Sequence, residues 1–543
     1  MSVLQAALIA LLYALASSSL NVGLGRYVLA QPLIAGTLAG ALLGDPLRGA
    51  QLGGALNLAA LALSPVRLRL SPDLALIGYV GVPLMLLAGM RPDSMALPTL
   101  MAGLWTLGIV LQFARRLFNT LVAHWADYFA DQGDVRNLAL VSTVVPQLWG
   151  VLVSFIPALF LLLLDAEGLA LLANVLPVWV QLTIQLAGYL LASLGIALAL
   201  RMLLQGSSIA YFLLGWLLAQ QWGVLSALVF GASLTLIHAY LARRRTDAAS
   251  STLAADVLPS ELNASHTPSR RLETHHLLQS FMLWLFFHNS GENLEREQNL
   301  GFAIALSPLA GALCKTLEER IAFARRTLTF FATEQMLGAA VVGSIAALEE
   351  RRANGEPISD AELIGAKSGL MVAASALGAV LTRNTALALL IAIGTALASE
   401  GSLLGVVIAA LAQSLIVIGG SFVAFWAAHR QTARLGEWAH QSGWLRPILF
   451  GLMRLGAFAL GSTLTLAMPS RLPSTFGIQV GVVFWSPQVQ VLDALHPSAF
   501  SLIWVLMLWW LMRYQRASWV ALLGLSLALA LAGGVLLSGL SPT

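Results

Sequence analysis

The chain has 543 residues, 58% of them hydrophobic and only 10% charged, with a mean hydropathy of +0.81 and a formal net charge of +4. Soluble domains carry about 25% charged residues, so this composition excludes a soluble globular protein and describes a polytopic membrane protein. The basic balance rests on 28 arginines and two lysines, Lys315 and Lys367, scattered through loops; nucleic-acid binding would need a clustered basic face on a polar domain, and none exists.

In chain order, the first apolar run, Ala6 to Ala16, has no Lys or Arg before it, which argues against a cleaved signal peptide with its positively charged leader. Gly36, Gly40 and Gly44, then Gly49 and Gly53, recur at four-residue spacing. This puts small residues on one helical face and predicts close backbone packing between membrane helices; backbone approach to a ligand is the alternative. Arg115 to Asp134 mixes Trp125, Tyr128 and Phe129 with His124, Asp127 and Asp131, an amphipathic stretch suited to the cytoplasmic interface. Roughly eight to ten hydrophobic segments precede residue 243. Several are shorter than the roughly 20 residues that span a bilayer, which predicts broken or re-entrant helices packed among others, as in transporters.

From 243 to 272 hydrophobicity collapses, and the stretch reads as a cytoplasmic linker. Arg243-Arg244-Arg245, Arg270-Arg271 and the pair Arg513 and Arg516 flank apolar runs, so these segments are expected on the cytoplasmic side. Residues 292 to 330 alternate charged and apolar groups, with Glu318, Glu319, Arg320, Arg325 and Arg326 predicted to form a solvated face. Glu349-Glu350-Arg351-Arg352-Ala353-Asn354-Gly355 reads as a helix C-terminus, with cations in the last turn and a glycine for the left-handed cap. Four or five further membrane segments are expected beyond it, with Trp509, Trp510, Tyr514 and Trp519 as interfacial aromatics. No catalytic, metal or cofactor site is expected: there is no Walker-type loop, His275-His276 lacks further ligands at metal spacing, and the single Cys314 has no disulfide partner and no local His pattern.

Two groups of motifs carry a family resemblance. Gln31-Pro32-Leu33-Ile34-Ala35, Gly44-Asp45, Gly53-Gly54-Ala55-Leu56-Asn57 and Ser71-Pro72-Asp73 resemble the IIC subunit of the mannose/fructose/sorbose-type permease of the bacterial sugar phosphotransferase system. Asn293-Leu294-Glu295-Arg296-Glu297-Gln298-Asn299-Leu300-Gly301-Phe302, Phe330-Phe331, Leu348-Glu349-Glu350, Lys367 and Gly401-Ser402-Leu403-Leu404-Gly405 resemble its IID subunit. The chain thus looks like both subunits fused: residues 1–242 IIC-like, 243–272 the linker, and 273–543 IID-like, with amphipathic cytoplasmic helices over 273–332 and membrane helices over 333–543. The expected fold is all-α and polytopic, two membrane halves of short, broken or re-entrant helices with an interfacial amphipathic segment in each. The resemblance implies a multi-pass protein of the bacterial inner membrane, a homotrimer, that moves a hexose or amino sugar for phosphorylation by soluble IIA and IIB proteins, with no cofactor and no phosphoryl-transfer residue of its own.

Substrate contacts are expected at Asn57, where the family has an acidic residue, at Asp73, and at Thr333 and Glu334, where the family's Asn-Thr-Gln becomes Ala332-Thr333-Glu334. Asp73 can equally cap a helix. Asn293, Glu295, Arg296 and Gln298 are assigned to the cytoplasmic face that meets the partner. The family's Gly-Asp-Pro falls on Gly378-Ala379-Val380, an arginine of the following helix becomes Leu387, and Gly25 and Arg26 stand near lost acidic positions. Buried polar groups are costly and persist where function needs them, so these losses point to a remodelled or abandoned sugar site. They open two alternatives, a sensor or docking scaffold with the same fold and a transporter of another solute uncoupled from phosphorylation. Glu334, Arg383 and Glu400 are new ionisable groups nearby.

Overall fold

The computed structural model describes residues 1–18, 25–61, 73–90, 97–174, 177–203, 208–250, 270–431, 445–467, 478–480, 483–485, 491 and 499–540. Ser71, Pro72 and most of the expected linker, 251–269, lie outside the described residues.

The first half begins with α1 (Val3–Ser17), opened by a reciprocal cap between Ser2 and Gln5. A π-helical segment (Gly25–Leu29) leads into α2 (Pro32–Leu43), which Gly44 ends at φ +93° before α3 (Pro46–Leu61) returns against it. The predicted glycine packing is here: a Cβ on Gly36 would stand 2.7 Å from the Gly49 carbonyl oxygen, and one on Gly53 would overlap the Pro32 carbonyl. Short α4 (Leu74–Leu76), a second π-helical segment (Ile77–Gly81) and α5 (Val82–Leu87) follow. α6 (Leu97–Asp131) and α7 (Val135–Asn174) form a long hairpin turned at Gly133, φ +66°. At 1.5 Å per residue α6 runs about 50 Å, well beyond a hydrocarbon layer of about 30 Å. Arg115 to Asp134 is therefore mostly the far end of one long helix rather than a separate interfacial segment. α8 (Val178–Leu203), α9 (Ser208–Trp222) and α10 (Val224–Ser250) complete the half; α10 continues through the arginines at 243–245 into the stretch expected to be linker.

The second half opens with α11 (Thr274–Phe287), α12 (Asn299–Leu313) and α13 (Leu317–Thr327). Only α13 has the expected charged face; α12 is buried on nearly every side, because its sequence is apolar all round. α14 (Gln335–Ala353) ends as predicted, with Arg351 and Arg352 in its last turn and Gly355 at φ +97°. α15 (Asp360–Gly378), a third π-helical segment (Ala379–Leu387) and α16 (Ala388–Ser399) run as one continuous helix, and α17 (Leu404–Arg430), α18 (Leu445–Ala467), α19 (Ala499–Arg513) and α20 (Trp519–Leu540) follow, five helical segments among the described residues. A small antiparallel hairpin, β1 (Ile478–Val480) and β2 (Val483–Trp485), is set within the otherwise all-helical architecture.

Among the described residues three helices are long and apolar enough to cross a membrane, Val135–Leu164, Asp360–Ser399 and Leu404–Arg430, while eight apolar helices are shorter. The halves interleave. One apolar core joins Leu33, Leu194 and Phe212 of the first half to Ile391, Val417 and Leu464 of the second. α9 and α18 meet backbone to backbone: a Cβ on Gly215 would overlap the Phe458 carbonyl and one on Gly461 the Phe212 carbonyl, while Ser462 donates to Gly215 O at 3.2 Å. Small residues at a membrane helix contact permit such approach, where dispersion rather than the hydrophobic effect holds helices together.

Candidate functional site

Asn57 is fully buried in α3, facing the start of α2. Its Oδ1 accepts from Leu33 N at 3.1 Å, satisfying a first-turn donor of α2, and its Nδ2 donates to Gln31 Oε1 at 3.0 Å. The neutral amide supplies both the acceptor and the donor that this position uses; a carboxylate would put two acceptors against Gln31 Oε1. Asp73, 5% exposed, does cap a helix: Oδ1 accepts from Leu76 N at 3.1 Å. Its Oδ2 accepts from Tyr13 at 3.0 Å and from Arg115 at 2.5 Å, so α1, α4 and α6 are joined through one carboxylate.

Glu334 caps α14 through Leu337 N at 3.0 Å and accepts a 2.7 Å hydrogen bond from Tyr27 of the first half. Its carboxylate lies against Gly378, where even a Cβ would collide with Oε2, so a glutamate occupies the space beside the altered Gly-Asp-Pro position. Leu387 is buried in apolar packing. Thr333 N donates to Gln298 Oε1 at 2.9 Å, but the Thr333 hydroxyl is buried with no hydrogen-bond partner among the described residues. Tyr27 and Gln31 sit four residues apart on the segment leading into α2, so that segment touches both Glu334 and Asn57. Asp73 bonds to a separate set of partners. Glu400 ends α16, exposed. Arg383 lies on the third π-helical segment, its side chain outside the described residues.

The four residues assigned to a cytoplasmic face differ among themselves. Asn293 is fully buried and organises its own loop: its Oδ1 accepts from Glu295 N and Arg296 N at 3.2 and 2.8 Å, and its Nδ2 donates to Asn299 Oδ1 at 2.8 Å. Gln298 is 8% exposed, held between Asn289 and Thr333. Arg296 grips Asp127 of α6 with two hydrogen bonds of 2.7 and 2.6 Å, and that hydrogen bonding holds its guanidinium above the ordinary arginine value. Glu295 alone is substantially open, at 47% side-chain exposure, beside His124. Hydrophilic residues in a loop read as surface, yet here they build the contact between the halves. Arg116 to Glu292 at 2.6 Å, Leu294 N to Thr120 Oγ1 at 3.3 Å and Arg325 to Asp131 at 2.8 Å extend that contact along α6.

Two further residues depart from the sequence reading. Arg326, expected on the solvated face, is 9% exposed and paired with Glu349 at 2.8 Å and Asp360 at 3.0 Å. Lys367 is 3% exposed; its ammonium donates to Thr329 O and Oγ1 at 2.9 Å and to Thr327 O at 3.3 Å, with the Phe302 ring 4.4 Å away. It thereby satisfies the last carbonyl of α13 and the chain just beyond it. Burial pushes the Cys314 thiol up to about 11, with the Glu349 and Glu319 charges adding to the effect, so it is a poor nucleophile at neutral pH. Among the described residues no cluster of three or more His, Cys, Asp or Glu could hold a metal ion.

Of the residues that carry this arrangement, sequence reasoning missed Tyr27, Gln31, Arg115 and Asp127 as partners. The arginine pair Arg115-Arg116 within a long, largely apolar helix was the available signal for Arg115, since such charges need counterions.

The family model described as the PTS system sorbose-specific IIC component matches residues 3–240, and that described as the PTS system mannose/fructose/sorbose family IID component matches 271–538. The mannose-specific EIID component of Escherichia coli (strain K12) is 28% identical over 225 residues, 41% of this chain and 79% of that protein. The sorbose-specific EIIC component of Klebsiella pneumoniae is 31% identical over 191 residues, 34% of this chain and 70% of that protein. Among solved structures, a chain of the cryo-EM complex of mannose transporter ManYZ with microcin E492 aligns at 26% identity over 49% of this chain and 98% of that one, with a TM-score of 0.28.

Proposed function

The chain belongs to the mannose/fructose/sorbose family of the sugar phosphotransferase system, with IIC and IID components in tandem, and from that premise we propose that it carries a hexose or amino sugar across the bacterial inner membrane. As a IIC and IID pair it is the membrane permease part of such a system and works with soluble phosphotransfer partners. In our reading the partner is a IIB protein at the cytoplasmic face: a sugar hydroxyl attacks the phosphorus of its phosphohistidine, the P–N bond breaks as the P–O bond forms, and the hydroxyl proton is released. A homotrimer is the assembly we propose. Domain limits at 1–242, 243–272 and 273–543 are part of the same reading.

We assign substrate contact to Thr333 and Glu334, with Asn57 and Asp73 ordering the neighbouring backbone or reaching the sugar directly. The observation that carries this is the buried Thr333 hydroxyl, without a hydrogen-bond partner among the described residues, one position before the buried Glu334. A buried hydroxyl left unpaired costs about 1–3 kcal/mol, a cost that a sugar hydroxyl would remove. A carboxylate accepting from neighbouring sugar hydroxyls suits a polyol site. The tandem matches to both components speak for transport over the sensor and uncoupled-transport readings.

The test is uptake of labelled hexoses and amino sugars in cells lacking a mannose-type permease, supplied with this chain and matching IIA and IIB proteins. Intracellular sugar phosphate is expected; none, from well-inserted protein, would overturn the reading. Glu334→Gln, which keeps acceptor capacity but removes the charge, is expected to lower uptake about tenfold at unchanged membrane abundance, in line with loss of a charge-assisted hydrogen bond.

A further inference from the structure

A groove of about 740 Å³ opens where the α6–α7 turn of the first half meets α11, α12 and α13 of the second. It lies at the start of the apolar span Val135–Leu164, and so at the membrane boundary. Its walls are mostly apolar: Leu140 of α7, Leu283 and Phe287 of α11, and Ile304 and Pro308 of α12. Proline has no amide hydrogen, and the Ile304 carbonyl that this leaves accepts instead from Ser307 Oγ at 2.8 Å, so that wall is internally satisfied.

Two cations stand in this lining, Arg136 from the first half and Arg320 from the second. Both are exposed, and neither has a carboxylate among its partners in the described residues. The acidic lining residue, Asp134, is already committed, accepting from Asn137 N at 3.0 Å and from Asn137 Nδ2 at 2.7 Å. With Asp134 counted, the groove lining carries a net positive charge, and it holds two arginines without an ion-pair partner among the described residues beside an apolar trough.

We propose that this groove binds an anionic phospholipid, its phosphate between Arg136 and Arg320 and an acyl chain along Leu140, Phe287 and Pro308. A head group held by arginines on both sides links the two halves of the permease. The apolar trough at the membrane boundary selects a lipid over a free anion, and the paired cations select an anionic lipid over a zwitterionic one. Each cation near an anionic lipid surface contributes a factor of roughly five in affinity.

The experiment uses the full chain in detergent, with native mass spectrometry and thermal melts in the presence of equimolar phosphatidylglycerol and phosphatidylcholine. Retention of phosphatidylglycerol over phosphatidylcholine is expected, with stabilisation by phosphatidylglycerol alone. Arg136→Gln with Arg320→Gln is expected to lower retention by about 25-fold and abolish the stabilisation, whereas the matching lysine pair retains most of both. Leu140→Asp, which leaves both arginines in place, is expected to weaken retention as well. Equal retention of the two lipids, retention unchanged in the glutamine pair, or the same stabilisation by inorganic phosphate would each overturn the proposal.

Discussion

The two halves of this permease meet in two chemically opposite ways. Along α6 the contact is polar: Arg116, Thr120, Asp127 and Asp131 meet Glu292, Leu294 N, Arg296 and Arg325 in turn. Between α9 and α18 it is almost bare backbone, with Gly215 and Gly461 each set against a carbonyl of the other helix. The difference follows from solvent. Where water competes, charge pairs give orientation at little net gain; where lipid is the alternative partner, only close approach and shape hold helices together. The polar contact should therefore tolerate single losses in proportion to exposure, whereas the glycine contact should fail with one added side chain.

The largest effect is expected from Gly461→Leu, which drives a side chain into the Phe212 carbonyl; overpacking of this kind costs about 3 kcal/mol or more when backbone must move. A melt in detergent matching wild type would show that α9 and α18 are not in tight contact. Next comes Glu292→Ala, which removes the carboxylate paired with the nearly buried Arg116; Arg116 is 10% and Glu292 12% exposed. About 3 kcal/mol is expected, with much of it recovered when Arg116→Ala is added. Strict additivity in that cycle would remove the pair from the interface. Arg325→Ala breaks a pair exposed by 64% and 57% and is expected to cost under about 1 kcal/mol, less still at high salt. A larger or salt-independent loss would mean the α6 contact is better shielded than its exposure indicates.

The smallest effect is a pH dependence at the edge of the polar region. Hydrogen bonds from Lys315 N, then from Arg270 and Thr316 N, hold the Glu319 carboxyl below its ordinary value. Its contribution is present above the unfolded carboxyl value of about 4.3 and is lost as pH falls through the lower folded value. Acid titration of the melting temperature should therefore lose part of its limb below about pH 4 in Glu319→Gln. An unchanged acid limb would leave this cap without a role in stability.

What could be read before the structure is largely what local chemistry records. Apolar composition announced the membrane, four-residue glycine spacing announced the α2–α3 contact, and the run to Gly355 announced the end of α14. Partnerships across sequence were invisible, since periodicity carries no record of them: Tyr27 and Glu334 lie 307 residues apart, and Asp127 and Arg296 lie 169 apart. Asn293 was misplaced for a related reason. Hydrophilicity predicts exposure only when the polar atoms have no better partners, and Asn293 finds its partners within its own loop. At the candidate site, the cap at Asp73 could be foreseen from the helix start, but not the arginine and tyrosine that converge on it.

The pairing of the last helix with an early one bears on how the protein is made. Gly534 of α20 rests against Trp179 and Thr183 of α8, and about 300 residues separate the two helices. Ribosomes add roughly 5–20 residues per second. α8 therefore enters the bilayer some 15 to 60 s before its partner is synthesised, with lipid covering the surface that α20 will later occupy. Because synthesis of the second half supplies the partner, the joined chain guarantees that every early helix left waiting has its own late one, a delivery that two separately translated subunits would have to achieve by encounter in the membrane.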